Sequence, residues 1–194
     1  MNKILLTCML IISSIHWLSA GDISSPSTLT LLPNENSFVI DLNSFDGGVN
    51  YITITDKSGK TVFTNDIDSK KERIKYVLDY LPADTYTVKI KGDQQVEYYT
   101  INILKDSAHI VDVKTYSSPT VKSIAHRVIV ESNNNNQDDI NLTILNKLGD
   151  VVYSYSEKLE GSYKKAFNLR NLGHGNYKVL VSDDQFRQEV SVAF

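Results

Sequence analysis

Apolar and polar residues alternate along most of the chain with the two-residue period of β-strands. The clearest alternations are Ile52/Ile54, Tyr86/Val88/Ile90, Leu142/Ile144 and Tyr177/Val179/Val181. Side chains of a strand point alternately to its two faces, so this pattern predicts strands with one buried face. Helical spacing is absent beyond the N-terminal apolar run. The sequence therefore predicts an all-β chain.

Short segments with this pattern are separated by turn-forming residues in both halves of the chain. The predicted strands lie near 28–32, 37–42, 50–56, 60–66, 73–79, 84–91 and 95–104, and near 109–116, 125–131, 140–146, 150–157, 163–169, 175–182 and 185–193. Seven such strands are typical of an immunoglobulin-like sandwich. The predicted fold is two tandem immunoglobulin-like antiparallel β-sandwich domains, over 22–105 and 106–194.

The two halves also resemble each other in sequence. Ile52–Phe63 aligns without a gap on Leu142–Tyr153. The identical pairs are Thr53/Thr143, Ile54/Ile144, Lys57/Lys147, Gly59/Gly149 and Val62/Val152. This indicates an internal duplication. It places Tyr76 and Phe167 at the same core position, and we expect Val62 and Val152 to point inward.

Two kinds of turn recur in both halves. Asp56–Gly59 and Asn146–Gly149 begin with an Asx residue and end with glycine, which favours a type I turn or a glycine bulge between two strands. Tyr86 and Tyr177 follow loops typical of a tyrosine corner, in which the hydroxyl returns to an upstream backbone group. We expect both tyrosines to pack rather than to react.

The N-terminus has the parts of a secretory signal peptide. A single cation, Lys3, precedes the apolar run Ile4–Ile12, and small residues follow at Ser19–Gly21. His16 and several serines interrupt the run, so it does not suit a membrane span. Residues 1–21 are the predicted signal peptide, cleaved after Ala20 or Gly21. We expect an exported protein, extracellular, at the cell surface or periplasmic, with no membrane span in the mature chain.

Composition narrows the classes of chemistry. Cys8 is the one cysteine and lies in the predicted signal peptide, so disulfides, thiol catalysis and cysteine-rich zinc sites are not expected. The net charge is -3 and no basic tract occurs, which argues against nucleic acid as a partner. No sequence motif indicates a cofactor.

The segments Gly149–Tyr153, Phe167–Leu172 and Gly175–Val179 carry a resemblance to known families. They resemble the C-terminal sorting domain of the type IX secretion system, and a family of short secreted bacterial β-sandwich proteins of unknown function. The resemblance implies export and a β-sandwich. Sorting domains usually end with lysines around the last strand, whereas this chain has Gln188–Phe194 there.

Residues suited to catalysis or metal binding are few. His109, His126 and His174 follow no catalytic or metal-binding spacing, so we expect structural or surface roles and predict no catalytic, cofactor-binding or metal residues. Asn133–Asp139 offers several oxygen ligands without the spacing of a calcium loop, and a solvated loop is the favoured interpretation.

Two surface features remain as candidate sites. Tyr153, Tyr155 and Tyr163 would form an aromatic platform for a ligand such as a sugar, if exposed. The alternative is cross-strand packing of the three rings. Ser107, within Asp106–Ala108, matches a short bacterial O-glycosylation signal.

Together these features favour a secreted, non-enzymatic, two-module protein that acts in binding, adhesion or surface scaffolding, with an unknown protein or glycan as partner. The alternative is that the second repeat is a sorting-like export domain. An enzyme ranks third, because a sandwich fold does not by itself supply a catalytic site.

Overall fold

The computed structural model describes residues 28–32, 35–45, 48–67, 73–105, 107–133 and 139–193. The predicted signal peptide, Asp106 and the centre of the asparagine-rich loop lie outside these ranges. The strands are β1 Leu29–Leu31, β2 Ser37–Asp41, β3 Val49–Asp56, β4 Thr61–Asp66, β5 Arg73–Val77, β6 Thr85–Gly92, β7 Gln95–Ile103, β8 Ala108–Ser117, β9 Thr120–Ile124, β10 Arg127–Ser132, β11 Asp139–Leu145, β12 Val151–Lys158, β13 Tyr163–Asn168, β14 Asn176–Ser182 and β15 Arg187–Ala193. A single-turn 3-10 helix spans Leu42–Ser44.

The described residues form four antiparallel sheets, so the prediction of an all-β fold is confirmed. The first half contains a three-stranded sheet, β1-β2-β5, and a five-stranded sheet, β4-β3-β6-β7-β8. The second half contains β13-β10-β9 and β12-β11-β14-β15. In the described ranges no helix is long and apolar enough to cross a membrane.

Each pair of sheets encloses its own hydrophobic core, in the manner of a sandwich. In the first half, Phe38 and Ile40 of the smaller sheet pack in one cluster with Ile54 and Val88 of the larger sheet. In the second half, Val128 of the smaller sheet packs in a separate cluster with Ile144 and Val179 of the larger sheet. Burying one such aliphatic or aromatic side chain stabilises a fold by about 1.5–3 kcal/mol, so each cluster stabilises its own pair of sheets.

The alignment of the two halves in sequence corresponds to shared strand register. Phe38 lies opposite Tyr76, as Val128 lies opposite Phe167. Tyr76 and Phe167 are both buried. The prediction that these two aromatic residues occupy the same core position is confirmed.

The predicted glycine turns are confirmed in detail. The Asp56 carboxylate accepts hydrogen bonds from the backbone N–H of Ser58 and of Lys60, at 2.9 and 3.0 Å. Asn146 accepts two equivalent bonds in the second half. Gly59 and Gly149 have φ of +82° and +89°, in the left-handed region that favours glycine.

The prediction that Val62 and Val152 point inward is wrong. They are 37% and 38% exposed. The strand register shifts after the turn, so that Phe63 lies opposite the buried Ile54, and Tyr153 lies opposite the buried Ile144. Directly opposite residues share a face of the sheet. The bulge therefore turns the aromatic residue inward and leaves its valine neighbour facing outward.

Strand β8 lies beyond the predicted domain boundary but belongs to the larger sheet of the first half. It pairs with β7 from Gln95 opposite Ser117 to Ile103 opposite Ala108. The strand in the second half that takes the position of β1 is β9, which pairs with β10. The sequence pattern did not predict β9, because Thr120–Ile124 is mostly exposed.

The turn between β14 and β15 contacts the outer face of the first half. The ammonium group of Lys91 lies 3.6 Å from the ring centroid of Phe186 and donates a 2.6 Å hydrogen bond to the carbonyl of Gln185. The Tyr98 hydroxyl donates to the Gln185 side-chain carbonyl at 2.9 Å. Burial lowers the pKa of Lys91. Phe186 is buried, so this turn forms a packed contact between the second half and the first.

Candidate functional site

The three tyrosines of the predicted aromatic platform lie on the inner face of the second half. Tyr153 and Tyr155 meet the ring of Phe167 edge to face, at centroid distances of 6.1 and 5.2 Å. Both, and Tyr163, are half-buried and pack against the core. This is cross-strand aromatic packing, and the inward turn of Tyr153 after the bulge is its cause. The rings do not form an exposed platform.

The Tyr155 hydroxyl meets a charged pair, Glu157 and Lys165. Lys165 donates a hydrogen bond to the Tyr155 hydroxyl and another to the Glu157 carboxylate, the latter at 2.8 Å. Tyr155 also donates to Glu157, at 2.8 Å. The hydrogen bond from Lys165, followed by that from Tyr155, lowers the pKa of Glu157. Burial, followed by the charge of Glu157, raises the pKa of Tyr163 to about 12, so its hydroxyl stays protonated.

The two positions of the first half that correspond to Glu157 and Lys165 are apolar. The sequence alignment matches Glu157 with Ile67, and strand register matches Lys165 with Ile74. Both isoleucines pack against the first core. The cluster thus replaces two apolar residues by an ion pair at the border of the sandwich. Glu157, Lys165 and the Tyr155 hydroxyl are satisfied by one another, which suits positioning of the Tyr155 ring.

A second feature lies at the end of the larger sheet of the second half, beside the Asn146–Gly149 turn. A depression of about 650 Å³ is lined by Leu145, Asn146, Lys147, Leu148, Gly149, Asn176, Tyr177, Lys178, Ser191, Val192 and Ala193. We call it the turn-end pocket. Pockets of roughly 300–1,000 Å³ with apolar walls and a few polar groups are typical of ligand sites.

Apolar side chains stand exposed in and beside the turn-end pocket. Leu148 is 78% exposed at the tip of the turn, and Val151 is 61% exposed at the start of β12. Polar residues accompany them, since Lys147 and Lys178 also line the pocket. Lys178 is paired with Glu189 at 2.7 Å. The pocket therefore combines an apolar surface with cationic groups at its border.

The same surface of the first half is polar. Strand register and the aligned turns match Leu145, Leu148, Val151 and Ala193 with Thr55, Ser58, Thr61 and Asn102. All four polar residues of the first half are thus apolar in the second. The backbone is equivalent in both places, so folding does not require these apolar residues. Leu148 and Val151 are thus exposed apolar residues without a folding role, which makes this surface the candidate interaction site.

The remaining candidate residues are scattered. Ser107 lies 3.4 Å from His109, and both are on the surface side of the link between β7 and β8. The rings of His126 and His174 meet at 6.1 Å between centroids. Among the described residues no group of three or more His, Cys, Asp or Glu side chains is arranged to hold a metal ion.

The chain matches no protein-family model, and no curated protein is significantly similar to it in sequence. The site is therefore interpreted from its own geometry.

The turn-end pocket was missed when the sequence was considered alone. Its signal was nevertheless present in the alignment of the two halves, where Leu148 stands opposite Ser58 and Val151 opposite Thr61. An apolar residue at a solvent-exposed turn of one repeat, matched by a polar residue in the other, is the pattern that identifies it.

Proposed function

We propose that this is an exported, non-enzymatic protein of two tandem immunoglobulin-like β-sandwich units that acts in binding, adhesion or surface scaffolding. The separate cores and the shared register of the two halves support the two-unit architecture. The N-terminal pattern of a cleavable signal supports export. The partner is a protein or a glycan.

The turn-end pocket is the observation that carries the binding function. The turns of the two halves are equivalent, but the residues beside them are polar in the first half and apolar in the second. Leu148 and Val151 of the second half are nevertheless exposed. Burying the exposed Leu148 side chain under a partner would contribute roughly 1.5–3 kcal/mol to the free energy of binding. We assign the binding surface to Leu148, Val151 and the groups lining the pocket beside them.

Residue exchange between the halves tests the assignment. The variant L148S/V151T gives the second half the residues of the first at those positions, and S58A/T61S is the matched control in the first half. Both are applied to immobilised panels of purified extracellular proteins and glycans, next to the unchanged chain. We expect the unchanged chain and the control to bind the same partner and L148S/V151T to lose at least about tenfold in affinity. Equal binding by all three would exclude this surface, and an absence of binding on every panel would contradict the binding function.

Export is tested separately. We expect the mature protein to begin near Gly21 or Asp22 and to carry no lipid. N-terminal sequencing and intact mass of the exported protein measure both. A start at Met1, or an acylated Cys8, would contradict the proposal.

A further inference from the structure

Strand β15 forms one edge of its sheet, and no described residue pairs with that edge. The corresponding edge of the first half is covered, because β8 pairs along the whole of β7. Register establishes the correspondence: Val192 lies opposite Tyr177 as Ile101 lies opposite Tyr86. The same strand thus has a hydrogen-bonded partner strand in one half. In the other half the described residues supply none on that side, and β9 of the facing sheet is its neighbour.

Strand β8 also adds Ala108 and Ile110 to the packing of the first core. Ile110 of β8 lies opposite Ile101, and Val113 lies opposite Tyr99. Tyr99 and Ile101 are each 1% exposed. Val190 takes the place of Tyr99 in β15 and is only half-buried. An unpaired strand edge with a partly exposed apolar residue is a template for another strand.

Part of the β15 edge is already occupied by the first half. The Gln188 side-chain N–H donates a 2.7 Å hydrogen bond to the Ser118 hydroxyl, and the preceding Phe186 is buried under Lys91. The stretch Glu189–Ala193 lies beyond these contacts. Its one charged side chain, Glu189, is neutralised by Lys178 at 2.7 Å. Electrostatic repulsion therefore does not prevent a strand from joining there.

We propose that Glu189–Ala193 pairs antiparallel with the same segment of a second copy of this chain, centred on Ser191. In this register Ser191 faces its own counterpart and Val190 faces Val192 of the second copy. Val190 and Val192 point to the inner face of the sheet, so the pairing brings four valines together. No like charges face each other, because Glu189 lies opposite Ala193. A two-fold arrangement of this kind is self-complementary and closes as a dimer.

The dimer joins two sheets into one continuous sheet through the backbone of β15, with the order β12-β11-β14-β15 repeated in reverse. In the dimer, the β15 strand of the second copy pairs with β15 as β8 pairs with β7 in the first half. This inference goes beyond the proposed binding function and does not depend on it, since self-pairing uses the backbone edge of β15. The side chains of Ser191, Val192 and Ala193 in that strand also line the turn-end pocket, so the two surfaces adjoin.

Charge exchange at Ser191 tests the pairing and its register together. Sedimentation velocity of the purified chain over a wide concentration range should show a reversible dimer. S191K and S191E each place two like charges opposite each other, so we expect each alone to lose at least about tenfold in dimer affinity. An equimolar mixture of the two should recover a dimer, because lysine then faces glutamate. S154K is the matched control, an exposed serine on β12 of the same sheet, and it should dimerise like the unchanged chain.

Three results would overturn the proposal: a monomer at every concentration of the unchanged chain, an S191K variant that dimerises as well as the unchanged chain, or a mixture that stays monomeric. Circular dichroism of each variant verifies that it is folded. The mixing experiment also guards against misfolding, since a misfolded variant would not be recovered by its partner of opposite charge.

Discussion

At the residue scale, the two tyrosine corners perform the same task in different surroundings. The Tyr86 hydroxyl donates to the Pro82 carbonyl at 3.0 Å, and the Tyr177 hydroxyl donates to the Gly173 carbonyl at 2.7 Å. Each bond spans four residues of chain. Tyr86 is 5% exposed, whereas Tyr177 is half-buried and lines the turn-end pocket. The hydrogen bond is therefore shared, but the packing is not.

This difference predicts unequal costs of truncation. Tyr86→Phe and Tyr177→Phe should each cost about 1 kcal/mol of unfolding free energy, the net value of one hydrogen bond. Tyr86→Ala should cost about 3–5 kcal/mol, as expected for a buried aromatic residue. Tyr177→Ala should cost clearly less than Tyr86→Ala. Urea unfolding measures all four variants, and equal midpoints for the two alanine variants would contradict the difference in burial.

The lowered pKa of Glu157 leads us to expect that the stability of the fold depends on pH. Its pKa is lowered below the ordinary 4.5 in the folded chain, chiefly by the hydrogen bond from Lys165. A group with a depressed folded pKa stabilises the fold above its unfolded pKa, and loses that effect as the pH falls through the folded value. Glu157→Gln should therefore be less stable than the unchanged chain near pH 7, and the difference should shrink below pH 4.5. Thermal melts across this range measure it. A constant difference at all pH values would show that the ion pair is not responsible.

At the scale of elements, β8 is the strand whose place matters most. It follows the domain boundary predicted from the sequence, yet it hydrogen-bonds to β7, and its Ala108 and Ile110 pack against the first core. Tyr99 in turn accepts a hydrogen bond from the backbone N–H of Leu29 and donates to Glu97 at 2.5 Å. A cut at 105–107 would separate β8 from β7 and so uncover Ile101, whereas a cut after Ser118 would keep β8 with the first half.

Fragments of the first half test this reading of β8. A fragment ending at Ser118 should give a β-rich circular dichroism spectrum and melt cooperatively. A fragment ending at Lys105 should be less stable by at least about 2 kcal/mol, since it uncovers apolar side chains that β8 buries. Equal urea midpoints for the two fragments would mean that β8 does not contribute to the first core. The remainder from Pro119 onward should fold on its own core.

At the scale of the whole molecule, two separate cores are joined by one buried aromatic residue. Phe186 is 7% exposed and belongs to neither core cluster, and its ring lies beneath the Lys91 ammonium group. The covalent connection at Ser117–Thr120 is short, and the turn before β15 adds a second attachment. The relative orientation of the halves therefore depends on the contact between Phe186 and Lys91.

Removing this ring should uncouple the halves without unfolding either. Phe186→Ala should cost about 3–5 kcal/mol of the free energy that couples the halves. It should increase protease cleavage at Ser117–Thr120 and divide a single thermal transition into two. Ile124→Ala, which truncates a residue 61% exposed on the second half, is the control and should change neither readout. Unchanged proteolysis in Phe186→Ala would show that the halves are held together elsewhere.

Much of this architecture follows from local sequence alone. The two-residue period located nearly all the strands, because a half-buried strand must alternate apolar and polar side chains. Glycine at the left-handed position and an Asx residue before it were sufficient to predict the turns, and Tyr86 and Tyr177 to predict the corners. These features depend on contacts within a few residues. The sequence determined them without help from the rest of the chain.

Three properties were decided only by tertiary structure. The bulge after Gly59 and Gly149 shifts the strand by one residue, and that single step exchanged the inner and outer faces, turning Tyr153 inward and Val152 outward. Strand β8 joined the first half because its hydrogen-bonding partner is set by the free edge of β7, not by its own sequence. The turn-end pocket exists because three distant segments end at one border of a sheet. A local pattern predicts that a strand forms, but pairing between distant segments decides which face is buried and which edge stays free.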